Sequence, residues 1–220
     1  MDGEAPTLAR VSRFKHRRPR LAWLRRWAFT IGLALSTGIA PVLVAGAQPL
    51  EGRGSCRDGE AQGAWRLVAG DGGLRAIGAF AQGRRTGSFI FWNAAGVRVA
   101  HLPYEDGALN GTLALWHGQP APNGEGAQRL EAVYTQGRLN GLKRSWHADG
   151  RLRGEYTYAG GALVEARAWD ERGTAMPDTQ ARVQANADFE ADAGYLRTLD
   201  DLVDRHRPCA GRAIIRASAR

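Results

Sequence analysis

The sequence predicts a mainly β fold, an elongated array of stacked β-hairpins, followed by a C-terminal α-helix and preceded by a signal or anchor helix. Three observations support this prediction. An aromatic–Gly–Gly–Trp pattern recurs at fixed offsets, the 220 residues include 29 glycines, and a basic N-terminal stretch precedes an uncharged apolar one. Four segments follow from these features: 1–47, 48–58, 59–176 and 177–220.

The N-terminal segment, residues 1–47, has the features of an export signal. Residues 10–26 carry eight Lys and Arg, and residues 27–47 carry no charge and end in Ala45-Gly46-Ala47. This pattern predicts a signal peptide that is cleaved between Ala47 and Gln48. The alternative is a retained membrane anchor, because 21 uncharged residues are long enough to span a bilayer. In both cases the remainder is exported, either into the periplasm or anchored in the inner membrane and facing the periplasm.

The net charge of the exported part is small. Residues 1–47 contain 8 of the 30 basic and 2 of the 22 acidic residues, which leaves 22 minus 20, or +2, for the rest. The high isoelectric point therefore belongs largely to the targeting segment, and we predict no nucleic-acid partner.

The segment 48–58 is rich in Gly and polar residues and is predicted to be a linker. It contains Cys56, and the second cysteine of the chain is Cys209. In an oxidising compartment these two can form a disulfide, which would close a loop of roughly 150 residues and contribute about 4 to 5 kcal/mol in the chain-entropy model. The alternative is two unpaired thiols.

The segment 59–176 contains the repeats. An aromatic residue is followed by Gly, Gly and Trp at steps of three, four and five residues. The repeat framework is Phe80, Gly83, Gly87, Trp92; Tyr104, Gly107, Gly111, Trp116; Tyr134, Gly137, Gly141, Trp146; and, in a shorter last copy with Glu165 at the second glycine, Tyr158, Gly161, Trp169. We expect each copy to be a hairpin, with the aromatic residues stacking into two rows.

The stretch Tyr134 to Gly150 resembles the MORN repeat, in the bacterial variant of the YwqK-type antitoxin family. The resemblance rests on Tyr-x-x-Gly-x-Leu-x-Gly followed by an aromatic residue and Asp-x-Gly, and it covers about 59–173. Arg85 and Thr86 depart from the pattern, as does Glu165. The resemblance implies an antitoxin-like binding protein of the bacterial envelope.

The segment 177–220 is predicted to contain an amphipathic helix over 179–207, followed by a basic tail. Phe189, Leu196, Leu199, Leu202 and Val203 fall near one helical face. We expect the helix to cover the exposed edge of the last hairpin, or alternatively to bind a partner.

The sequence contains no known catalytic motif and no cofactor motif, so we predict a protein that is not an enzyme and binds no cofactor. His117 and His147 each follow a repeat Trp. They could bind a metal, but Asn93 and Asp170 at the equivalent places favour a structural role for a polar strand end.

An insertion after Trp116, over 118–128, is the candidate partner-contact site. Its predicted contact residues are Gln119, Pro120, Pro122, Asn123 and Glu125. The predicted function is the binding of another macromolecule, a protein, in the envelope. The alternative is a membrane-surface or cell-wall association module, in which residues 27–47 could also provide the membrane contact.

Overall fold

The computed structural model describes residues 49–120 and 126–209, which form one antiparallel sheet with a long helix against it. The elements are β1 (Leu50–Arg57), β2 (Glu60–Ala69), β3 (Leu74–Ala81), β4 (Arg84–Trp92), β5 (Arg98–Glu105), β6 (Ala108–Leu109), β7 (Gly111–Pro120), β8 (Gly126–Thr135), β9 (Arg138–Trp146), β10 (Leu152–Ala159), β11 (Ala162–Ala168) and α1 (Asp178–His206). The mainly β architecture with a C-terminal helix is confirmed, whereas the predicted helix in 1–47 lies outside the described residues.

The strands lie side by side in chain order, and β6 and β7 share the place beside β5, so the sheet is ten strands wide. Each strand pairs with the next through a turn, as expected for stacked hairpins. The sheet is therefore a continuous meander.

The first glycine of each copy forms a two-residue hairpin loop together with the residue before it. At Gln82-Gly83, for example, φ is +51° and +73°, values that match the type I′ turn favoured between twisted antiparallel strands. The same geometry occurs at Asp58-Gly59, Asp106-Gly107, Gln136-Gly137 and Gly160-Gly161. The N–H of each of these glycines from Gly83 onward donates to a carbonyl of the preceding copy, as Gly107 does to Arg85 at 2.9 Å. The repeat thus fixes both the turn and the link between neighbouring copies.

The predicted linker 48–58 is wrong for most of its length, because Leu50–Arg57 forms the edge strand β1 and pairs with β2. Its glycines serve close packing rather than flexibility. A Cβ on Gly52 would lie 1.7 Å from the carbonyl oxygen of His206, and one on Gly54 would lie 2.6 Å from the Pro208 ring. The end of α1 can therefore approach β1 only because these two positions carry no side chain.

The helix α1 agrees closely with the predicted range and ends at His206, because Arg207 adopts the extended conformation expected before Pro208. Its predicted placement at the edge of the last hairpin is correct for its first part, which packs against β11, but not for the rest of the helix. It crosses one whole face of the sheet, from β11, where Arg182 bonds to the Val164 carbonyl, to β2, where Trp65 bonds to the His206 carbonyl. The α1 helix is not long and apolar enough to cross a membrane, and the described residues contain no other helix.

The lengths of helix and sheet explain this crossing. Twenty-nine helical residues span about 44 Å, and ten strands abreast span about 43 Å. A helix laid perpendicular to the strands can therefore contact almost every strand, which a helix on the edge cannot do.

The core lies between α1 and the sheet. A continuous row of directly paired residues runs beneath the helix, and large and small side chains alternate along much of it. This helix-side row consists of Gly52, Leu67, Ala76, Phe91, Ala100, Leu115, Leu130, Ser145, Gly154 and Ala168. Alternating large and small side chains let the helix pack closely against the sheet.

Candidate functional site: the charged helix seam and the open sheet face

The buried side of α1 carries two aspartates where the sequence pattern predicted an apolar stripe. Asp188 and Asp192 are each 8% exposed, and they lie between Ala185 and Leu196 on the buried side of the helix. Phe189, which was predicted to face the core, is 37% exposed instead. A buried carboxylate needs partners, and the sheet supplies them.

Asp188 accepts hydrogen bonds from four side chains, the longest of them from the Ser145 hydroxyl at 3.5 Å. Its Oδ1 accepts from the Arg153 guanidinium and from the Gln184 amide, both at 2.7 Å, and its Oδ2 accepts from the Tyr156 hydroxyl at 2.9 Å. Burial, followed by the charge of Asp188, raises the pKa of Tyr156, so this hydroxyl remains a proton donor.

Asp192 pairs with Lys143, whose Nζ lies 2.8 Å from Oδ2, and with Arg129 at 3.4 Å. Lys143 is only 1% exposed. The equivalent positions in the preceding copies hold apolar residues, Trp65, Phe89 and Leu113. Each lies two residues after a glycine, as Lys143 does, and these glycines are Gly63, Gly87, Gly111 and Gly141. Lys143 therefore departs from the apolar residues at this repeat position, and the Asp192 carboxylate neutralises its charge.

Two of the arginines reach the helix because of β-bulges. Arg129 and Arg153 are the extra residues at register shifts opposite Trp116 and Trp146, and they point toward α1 together with the following residue of their strands. The corresponding extra residues of earlier copies are Arg75 and Val99. The repeat geometry thus places an extra residue at this point of each of these copies, and the sequence decides what it contacts, since Arg75 pairs with Asp71 in its own turn rather than with α1.

A second charged contact holds the other half of α1. Asp200 accepts from the Tyr104 hydroxyl at 2.6 Å, and Arg85 bonds to the Asp200 carbonyl and pairs with Asp204 at 2.9 Å. Burial and Asp200 raise the pKa of Tyr104. Arg85, a departure from the MORN pattern, is therefore a helix-anchoring residue.

A cleft of about 400 Å³ opens beside Asp188 and Asp192, between α1 and the ends of β7 to β10. His117 and His147 line it, together with both bulge arginines and both buried aspartates. Each histidine Nε2 lies near a backbone carbonyl of the next copy, Trp146 at 3.4 Å and Trp169 at 3.3 Å, and Asn93 makes the equivalent bond to Gly118. The histidines therefore link neighbouring copies, and within 49–120 and 126–209 no three metal-ligating side chains converge.

The predicted aromatic framework is divided between the two faces of the sheet. Phe80, Tyr104 and Tyr158 are buried beneath α1, and Tyr134 is partly buried. The rings do not stack directly, because they stand on alternate strands. Phe89, at 5.6 Å from Phe80 and 5.3 Å from Tyr104, fills the gap between them, and Trp65 extends this cluster. Neither Phe89 nor Trp65 was predicted from the sequence, although both occupy the repeat position that holds Leu113 and Lys143 in the other copies.

The other face of the sheet is not covered by any element of 49–120 or 126–209. Side chains alternate between faces along each strand, so the partners of this face can be read from the register. Its middle row runs unbroken across all ten strand positions: Arg53, Arg66, Ile77, Ile90, His101, Ala114, Glu131, Arg144, Glu155 and Arg167. We call this side the open face.

Two further rows flank the middle row. The Trp row contains Val68, Leu74, Trp92, Arg98, Trp116, Gln128, Trp146 and Leu152. The third row contains Ala64, Ala79, Ser88, Pro103, Thr112, Val133, Leu142 and Thr157. Most of the apolar side chains in these rows are only partly buried, so β2 to β8 present a broad apolar surface.

The charges of the open face are distributed unevenly. At the β9–β11 end, Glu155 pairs with Arg144 at 3.0 Å and with Arg167 at 3.8 Å. Arg53 pairs with Glu51 at 2.8 Å. Arg66 and Glu131, which border the apolar part, have no ion-pair partner among the described residues. At its centre His101 bonds to Ser88 at 2.9 Å, and burial together with Arg98 lowers the pKa of His101.

The remaining predicted site residues have varied outcomes. Cys56 and Cys209 form a disulfide, with their Cα atoms 6.1 Å apart, which joins β1 to the segment after α1. Gln119 and Pro120 are exposed at the end of β7, whereas Pro122, Asn123 and Glu125 lie outside the described residues, as do Ala45, Ala47 and Gln48.

Comparison of the chain with models of known protein families finds no match, and comparison with curated protein sequences finds none either. The resemblance to the MORN repeat therefore stays a prediction from the Tyr134 to Gly150 pattern.

Proposed function

We propose that this protein is an exported, noncatalytic binding protein whose open face contacts another macromolecule, a protein, in the bacterial envelope. The observation that carries the proposal is the contrast between the two faces of one sheet. One face is covered by α1, which charged contacts and a disulfide hold in place, and the other is largely apolar between Arg66 on β2 and Glu131 on β8, without a covering element among the described residues. Large apolar surfaces of this kind mark interaction sites.

The rigidity of the sheet supports this proposal. The disulfide, the buried Lys143–Asp192 ion pair and the Tyr104–Asp200 hydrogen bond hold α1 along the sheet, so the open face is presented as a fixed surface. A preformed surface loses less conformational entropy on binding than a mobile one. Neutralisation of a toxin, which the MORN resemblance implies, is one activity that a surface of this kind could perform.

The test compares two variants of the full chain, each isolated from the cell envelope. Ile90→Glu places a charge at the centre of the open face. Val183→Glu places the same charge on α1, where Val183 is 70% exposed. Affinity capture should recover the same discrete protein with the wild type and with Val183→Glu, and lose it with Ile90→Glu.

Two results would overturn the proposal. One is equal capture by the Ile90→Glu variant, which would exclude the open face. The other is sedimentation with lipid vesicles or peptidoglycan in the absence of any protein partner, which would favour the association module instead.

A further inference from the structure

Arg66 and Glu131 are the two charges of the middle row that have no ion-pair partner among the described residues, and they stand at opposite ends of its apolar part. Between them lie Ile77, Ile90, His101 and Ala114 on consecutive strand positions. Three positions of this part of the row lie on each side of the boundary between β4 and β5. The cation Arg66 is at one end and the anion Glu131 is at the other. Self-complementary patches of this kind suit twofold association.

We propose that the open face binds a second copy of this chain, in a symmetric dimer whose twofold axis runs parallel to the strands between β4 and β5. This inference rests on the proposed function, because it names the protein that the open face takes.

The charges select this axis. Two sheets that pack face to face are related by an axis lying between them, either along the strands or across them. An axis across the strands places each strand over its own copy, so that Arg66 meets Arg66 and Glu131 meets Glu131. An axis along the strands reverses their order, and each Arg66 then meets Glu131 of the second copy. Only this arrangement pairs Arg66 with Glu131. The next residues outward, Arg53 and Arg144, then face each other, but each is already neutralised within its own chain, by Glu51 and by Glu155.

The neighbouring rows agree with the same axis. In the Trp row, Trp92 on β4 comes opposite Arg98 of the second copy, a pair that cation–π attraction favours. Arg98 already stacks on the indole of Trp116 within its own chain at 4.1 Å from the ring centroid. In the third row, Ser88 comes opposite Pro103, and Ala79 comes opposite Thr112. These small side chains allow the sheets to approach closely.

The area is sufficient for a specific dimer. From β2 to β8 the sheet is about 29 Å wide, and three rows of side chains cover about 20 Å along the strands. Each copy would bury about 600 Å², and the pair about 1,200 Å², which lies at the lower end of the range for stable interfaces.

A charge-swap experiment tests this geometry. The full chain, purified from the envelope fraction in oxidised form, is measured by light scattering and analytical ultracentrifugation over micromolar concentrations. We expect a mass of two chains for the wild type. Arg66→Glu and Glu131→Arg should each raise the dimer dissociation constant by about tenfold or more, because each creates two like-charge contacts. The double variant should return to within about threefold of the wild type, since both contacts are restored in reverse.

Arg197→Glu, on the exposed side of α1, is the matched control and should leave the dimer unchanged. A monomeric wild type overturns the dimer, as does a double variant no better than the single ones. If the wild type is monomeric but a different protein is captured through Ile90, the dimer is excluded and the proposed function stands. Circular dichroism of each variant confirms that the fold is retained.

Discussion

The buried ion pair between Lys143 and Asp192 gives the sharpest test of how α1 is held. Lys143 is 1% exposed, and its Nζ lies 2.8 Å from the carboxylate. Asp192→Leu would leave the ammonium buried with no carboxylate in contact, and breaking a buried pair in this way costs about 3 to 5 kcal/mol. Lys143→Met should cost less, because Arg129 remains 3.4 Å from Asp192.

The double variant Lys143→Met/Asp192→Leu should be much closer to the wild type than either single variant. Both desolvated charges are removed, and two apolar side chains replace them at the position where other copies hold Phe89 or Leu113. We therefore expect a coupling energy of about 2 to 4 kcal/mol, measured by urea unfolding with tryptophan fluorescence at neutral pH. The exposed pair between Arg167 and Glu165, at 2.7 Å, is the control and should give less than about 1 kcal/mol. If the stability losses of the two single variants simply add in the double variant, this account of the Lys143–Asp192 ion pair is refuted.

Three further predictions concern packing, covalent closure and ionisation. Gly52→Ala should destabilise the fold by several kcal/mol on denaturant unfolding, because its Cβ would meet the His206 carbonyl at 1.7 Å. Gly194→Ala, in α1 with only the end of Arg197 within 4 Å, should instead stabilise by about 0.5 to 1 kcal/mol, and the opposite order would contradict the packing of β1. Replacing both cysteines by serine should lower stability by up to about 4 to 5 kcal/mol, since the disulfide joins residues 153 apart, and reductant should then have no effect on the variant. All five tyrosines have raised pKa values, with Tyr134 and Tyr158 at about 12. Because the unfolded chain ionises near pH 10, the native state retains more protons above that pH, so stability is intact below about pH 10 and falls toward pH 12. Absorbance titration should find little tyrosinate in the native protein at pH 10, and half-ionised tyrosine there would contradict the burial.

Much of the sheet could be predicted from the sequence, because its information is local. Two-residue loops need positive φ, and the recurring glycines marked every one of them from Gly59 to Gly161. Export, which the basic and uncharged N-terminal stretches predict, stays a prediction. The pairing of Cys56 with Cys209 was the simplest use of two cysteines, and the disulfide in the structure agrees with it.

Several features could not be read from the chain because they depend on contacts between distant residues. Gly52 and Gly54 look like linker residues until the end of α1 is placed against them. Lys143 looks like a surface lysine until Asp192 is brought to it, and Asp188 and Asp192 look like the polar side of an amphipathic helix.

The sequence by itself determined the hairpin unit, its turns and the number of copies, since each of these follows from backbone conformations available within about 24 residues. The tertiary structure alone decided where α1 lies and which face of the sheet it leaves open. That choice depends on matching the length of the helix to the width of the sheet and on pairing its buried carboxylates with basic side chains from three neighbouring strands.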